Sequence, residues 1–115
     1  MRTVITRSFD FDAAHQLDWH PGKCRRLHGH SYRLEVSIEG PIGPNGVVMD
    51  FDELKTVVNQ TVLERYDHRF INDFLDNPTA ELMAQEMWKD LESAGLTLAS
   101  LRLWETNNCR VEILP

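Results

Sequence analysis

Polar and apolar positions alternate with a period of two at the start of the chain. Over residues 3–15, Ile5, Phe9, Phe11, Ala13 and His15 share one parity while Asp10 and Asp12 take the other. That pattern predicts a strand with one buried face. Pro21-Gly22 interrupts the pattern as a turn signal. Alternation resumes over residues 30–40, with Tyr32, Leu34, Val36 and Ile38 facing one way and Ser31, Arg33, Glu35, Ser37 and Glu39 the other. This predicts a second half-buried strand, antiparallel to the first.

Gly40-Pro41, Gly43-Pro44 and Asn45-Gly46 then mark a turn-rich connection. Beyond it the period changes to that of a helix. Asp50 and Glu53 read as an N-cap and capping-box pair ahead of Phe51, Leu54, Val57, Val58, Thr61 and Val62. A second helix starts near Pro78-Thr79, carries Leu82, Met83, Met87, Leu91 and Ala94, and ends at Gly95. A polar-aromatic loop from Tyr66 to Asn77 joins the two helices. The chain returns to strands over Leu98–Thr106 and Cys109–Leu114, joined by Asn107-Asn108, a pair able to take the left-handed conformations of a tight hairpin. The predicted order is ββααββ. It implies one α+β domain over residues 1–115, a four-stranded antiparallel sheet with two helices on one face.

A length of 115 residues suits one core and no second domain. No apolar run approaches the roughly 20 residues that span a bilayer. Arg2 and Arg7 are not followed by the apolar stretch of a secretory signal, so a cytoplasmic location is expected and a membrane partner is not. The net charge of −6 argues against a nucleic-acid partner. Locally the balance reverses, because Lys23, Arg25, Arg26 and Arg33 occur with no acid among them. Such a basic island suits a small anionic ligand. Cys24 and Cys109 are not expected to pair in a reducing compartment, and Cys109 reads as a small, partly buried filler.

The densest chemistry lies in Cys24-Arg25-Arg26-Leu27-His28-Gly29-His30. Residues two apart on an extended chain share a face, so His28 and His30 can converge on one metal. His15, at the end of the preceding strand, supplies a third imidazole if the two strands are antiparallel neighbours. Three neutral imidazoles suit Zn²⁺ and leave a coordination position open, the arrangement of a catalytic site. Cys24 has two readings. It is a fourth ligand that closes a structural site, or it is a thiolate, stabilised by neighbouring cations, that takes protons beside the metal. Asp67-His68 is a second proton-transfer candidate, since a carboxylate fixes the histidine tautomer. Glu105 shares parity with Leu101 and Leu103, and an inward carboxylate needs a partner. The adjacent N–H donors of a pterin or guanine edge would serve.

Six blocks carry a resemblance over nearly the whole chain. They are FDFDAAHQL at 9–17, CRRLHGHSY at 24–32, MDFDELK at 49–55, LERYDHRFIND at 63–73, NPTAE at 77–81 and WET at 104–106. In this order they resemble the 6-pyruvoyltetrahydropterin synthase and 6-carboxytetrahydropterin synthase family. The short spacing from Cys24 to His28 is similar to the carboxytetrahydropterin branch, which feeds deazapurine and queuosine synthesis. The resemblance implies zinc on His15, His28 and His30, Cys24 as catalytic acid or base, and Asp67 and His68 as a proton-transfer group from an adjacent subunit. It implies Glu105 and Thr79 as pterin contacts, and 7,8-dihydroneopterin triphosphate as substrate; given that substrate, we expect the basic island, with Arg25 and Arg26, to meet the triphosphate. It also implies the tunnelling fold, whose sheets join into a β-barrel in a homohexamer made of two trimers.

Overall fold

The computed structural model describes residues 1–115 and begins with β1 (Val4–His15), the first strand expected. β1 pairs antiparallel with β2 (His28–Glu39) along its whole length, from Val4 opposite Glu39 to His15 opposite His28. β2 continues antiparallel to β4 (Leu98–Thr106), with an irregularity between Ser37 and Ile38, and β4 to β5 (Cys109–Ile113). One parity of each central strand is buried: Phe9, Phe11, Ala13 and His15 on β1, Tyr32, Leu34, Val36 and Ile38 on β2, Leu101 and Leu103 on β4. Hydrophobic burial at those positions fixes the register, because a slip of one residue would turn every one of them to water.

The helical layer packs on that face. α1 (Phe51–Val58) runs through a π-helical stretch (Asn59–Leu63) into a last turn, α2 (Glu64–Tyr66). α3 (Ala80–Ser93) follows. Leu54, Val58, Val62 and Tyr66 from the first helical run, and Met83, Ala84, Met87 and Leu91 from α3, join the strand residues in one cluster. Gly95 takes φ of 99° where α3 stops, a conformation that side chains resist. No helix is long and apolar enough to cross a membrane.

Several expectations are corrected. The sheet has five strands and is mixed; with the strand Arg69–Phe70 as β3, the order is β3-β1-β2-β4-β5. The extra strand is β3 (Arg69–Phe70), which lies parallel to the end of β1 with Ala13 opposite Arg69 and Ala14 opposite Phe70. Two residues are too few to show any period, so the stretch reads as loop in the sequence. The capping box does not form: the Asp50 carboxylate accepts from the Asp52 N–H at 2.7 Å rather than from that of Glu53, so Asp50 acts as a simple N-cap. Phe51 and Leu82 lie on helix faces exposed to solvent. Asn107 and Asn108 do not take left-handed φ; His68 is the one non-glycine residue that does. Cys109 is exposed rather than a buried filler, because it opens β5 at the solvent side of the hairpin.

Candidate metal and catalytic site

The antiparallel register places the last residue of β1 against the first of β2, so His15 meets His28 directly, and His30 follows two residues on along the same face. The ligand atoms of the three rings lie within 4.8 Å of one another. His15 Nε2 is 3.0 Å from His28 Nε2. Two nitrogens on one tetrahedral zinc are about 3.3 Å apart, given zinc–nitrogen bonds near 2.05 Å.

Main-chain partners settle the tautomers. The Pro78 carbonyl accepts from His15 Nδ1 at 2.8 Å, and the Arg26 carbonyl accepts from His28 Nδ1 at 2.7 Å. A carbonyl only accepts, so each Nδ1 carries the proton and each Nε2 presents a lone pair. Two lone pairs facing each other at this distance repel unless a cation lies against both. The donor set therefore fits a metal, and three imidazoles fit zinc.

The surroundings favour neutral rings. Burial lowers the pKa of His15, opposed by the Pro78 hydrogen bond and by Glu105, with His28 adding to the lowering. Burial also lowers His30, opposed by Glu105. The Glu105 carboxylate lies 3.6 Å from His15 Nε2 and 3.8 Å from His30 Nε2. It points inward, as its parity predicts, and its charge complements a cation held there.

Cys24 lies in a short 3-10 turn, Lys23–Arg25, and lines a cavity of about 370 Å³ with Lys23, Arg26, Leu27, His28 and His30. The thiol and two metal-ligand candidates therefore share one space. Arg25 is not among the lining residues. Asp67 and His68 lie elsewhere. The His68 ring is 2.9 Å from the Asp67 carboxylate through Nδ1, and the Asp12 main chain holds both residues. Its N–H donates to Asp67 Oδ1 at 3.1 Å and its carbonyl accepts from the His68 N–H at 2.6 Å. His68 lines a different cavity, of about 500 Å³, with Asp12, Ala14, Gly29 and Ser31, the outward parity of β1 and β2. Within one chain the pair is not in the Cys24 cavity; His30 lines both spaces. Thr79 is the N-cap of α3, and its hydroxyl accepts from the Leu82 N–H at 3.2 Å.

Three supporting residues escaped the sequence reading. Asn72 pairs its side-chain amide with the main chain of Gln16 in both directions, each bond 2.9 Å long, fastening the chain where it leaves β1 after His15. Asn77 accepts from the Trp19 indole N–H at 2.7 Å, tying the loop that carries Cys24 to the segment before α3. Pro78 supplies the carbonyl that orients His15. Their signal was NPTAE and FIND beside the histidine blocks, but no period or charge pattern marks an amide as a strand extension.

A family model for 6-pyruvoyl tetrahydropterin synthase matches residues 4–115. The chain belongs to that family. It is an enzyme. The 6-carboxy-5,6,7,8-tetrahydropterin synthase of Haemophilus influenzae is 36% identical, with 89% of this chain and 92% of the relative covered. The Synechocystis protein of that name is 41% identical over 90% of this chain and 86% of the relative. The dihydroneopterin monophosphate aldolase of Pyrococcus furiosus is also 41% identical, over 98% of each chain. Among solved structures, the 6-pyruvoyl tetrahydropterin synthase of Caenorhabditis elegans superposes with a TM-score of 0.86 at 25% identity, covering 100% of this chain and 96% of that one. That structure shares the fold over the whole of this chain.

Proposed function

We propose that this protein is a zinc-dependent lyase that converts 7,8-dihydroneopterin triphosphate and one water to 6-carboxy-5,6,7,8-tetrahydropterin, releasing acetaldehyde and triphosphate, within cytoplasmic queuosine and deazapurine synthesis. The observation that carries the reading is the Cys24 thiol sharing one cavity with His28 and His30 of the three-histidine cluster. Zinc held by His15, His28 and His30 supplies Lewis acidity toward the hydroxyls of the substrate side chain. Cys24 takes a proton from the side-chain carbon skeleton as base and returns it as acid. Asp67 holds the His68 proton at Nδ1, leaving Nε2 to exchange protons with the reacting side chain. Glu105 accepts from the N–H edge of the pterin, and Thr79, at the start of α3, lies on the segment that faces the ring. Electrons move within the substrate, so no external redox cofactor is required.

The active assembly in this reading is a hexamer of two trimers, with Asp67 and His68 contributed across an interface. Two features support it. The pair lies outside the Cys24 cavity of its own chain. The outer edge of β5 and the length of β1 before Ala13 carry no neighbouring strand, and paired edges are the stable outcome. A second enzymatic reading, aldol cleavage of a phosphorylated dihydroneopterin, is favoured by the Pyrococcus furiosus aldolase, as similar over a larger share of both chains as the Synechocystis synthase. A third is 6-pyruvoyltetrahydropterin synthesis, which needs the same residues.

Mass spectrometry of products from zinc-loaded protein and dihydroneopterin triphosphate decides among them. Carboxytetrahydropterin with acetaldehyde is the expected result. Pyruvoyltetrahydropterin would move the protein to the sister activity, and turnover of the monophosphate alone would make it an aldolase. No turnover of either, with zinc bound, would leave a module that only holds the metal.

A further inference from the structure

Three cations, Lys23, Arg25 and Arg26, lie next to Cys24, and none has a carboxylate within ion-pair distance, whereas Arg2, Arg7, Arg33, Arg65 and Arg102 all do. On a chain of net charge −6, cations left unpaired together are available to an anion from outside. Lys23–Arg25 is a 3-10 turn in which the Arg26 N–H donates to the Lys23 carbonyl at 3.0 Å. Lys23 lies inside the turn, and Arg26 follows it as the C-cap in extended backbone, with φ −85° and ψ 153°. Both Lys23 and Arg26 line the cavity of about 370 Å³ that holds Cys24, His28 and His30, and Arg25 does not.

We propose that Lys23 and Arg26 form a polyphosphate subsite that takes the anionic tail of the substrate and selects for its charge, while Arg25 takes no part. The proposal rests on the phosphorylated-pterin reading above and names the residues that sense the phosphates. Arg26 has two roles. Its main-chain carbonyl accepts from His28 Nδ1 at 2.7 Å, and the residue lines the cavity; the forked donors of a guanidinium suit phosphate oxygens. Tail binding is thereby coupled to the strand that presents two of the three histidines, and the leaving phosphates start beside the Cys24 thiol. A tail with more charge gains more from the two cations, so they discriminate triphosphate from monophosphate substrates.

The test is a calorimetric titration of zinc-loaded protein with inorganic tripolyphosphate, zinc content being measured before and after each run. Lys23→Gln and Arg26→Gln are each expected to weaken binding about tenfold, the effect of one charged hydrogen bond, with zinc content unchanged. Arg25→Gln is expected to change it less than twofold. In turnover assays the same two variants should raise KM for the triphosphate more than for dihydroneopterin monophosphate. Equal losses at all three positions, or none at Lys23 and Arg26, would overturn the proposal. Tripolyphosphate binding with this pattern, but no turnover of any dihydroneopterin phosphate, would sink the enzymatic reading and leave the subsite standing.

Discussion

His15 and His28 each donate a hydrogen bond from Nδ1–H to a main-chain carbonyl, and that single fact turns two histidines into ligands with their lone pairs facing inward. The chemistry at this scale was largely legible in the sequence, because a His-x-His pair on a strand has only one way to face. The orienting partners were not, since a carbonyl belongs to every residue and only the fold says which one arrives. Two substitutions separate metal holding from turnover. Cys24→Ala should retain zinc, read by metal analysis, and lose turnover by at least about a hundredfold, as expected for removal of a general acid–base; loss of zinc instead would make the thiol a ligand. Asn72→Ala removes both bonds to the Gln16 main chain and should lower stability by about 1–3 kcal/mol in thermal or urea denaturation. It should also weaken zinc about tenfold, the usual cost of losing an outer support of a ligand. A competition titration with a zinc-binding dye reads that second effect.

Helix α3 starts at the point where three demands meet. Thr79 caps it, Pro78 just before it holds His15, and Asn77 before that holds Trp19. The cap was visible in the sequence as Pro-Thr followed by an apolar period, and β1, β2, β4 and β5 were visible as alternation. β3 was invisible because its two residues are ordered by the neighbouring end of β1 and not by their own pattern. The same applies to His68, whose φ of 58° is a conformation histidine tolerates better than most residues but takes here where its N–H donates to the Asp12 carbonyl. Thr79→Ala should cost about 1 kcal/mol from the lost cap in thermal denaturation. If Thr79 also touches substrate, KM will rise with it. Thr79→Ser, which restores the hydroxyl, should recover the stability.

At the scale of the whole molecule, the chain is elongated, 53 × 25 × 23 Å, with a radius of gyration of 15.1 Å. A compact domain of this length has about 13 Å. The two 12-residue strands β1 and β2 account for the excess, and their sheet leaves edges open to pairing between copies. The buried histidines set the response to acid. His15 and His30 have pKa values lowered in the fold below the ordinary 6.5, so the unfolded chain binds more protons than the folded one at and below that value. Stability of the metal-free protein should therefore be level above about pH 7 and fall as pH drops through 6.5 toward the folded values. Chemical denaturation at a series of pH values checks this, and stability that rose on acidification would contradict it. Zinc in excess should raise the midpoint by binding only the folded form, by about 2.7 kcal/mol at a hundredfold excess over Kd, and should make the acid loss steeper, since protons and metal compete for the same Nε2 atoms. By itself the sequence determined the strand and helix periods, the buried parity, the family and the identity of the three histidines, because each is written in local spacing. Only the tertiary structure decided that β3 joins the sheet, that His68 lines a separate cavity from Cys24, and that Arg26 lines the Cys24 cavity while Arg25 does not. Those outcomes depend on which distant segments pack together, and no local pattern of side chains encodes that.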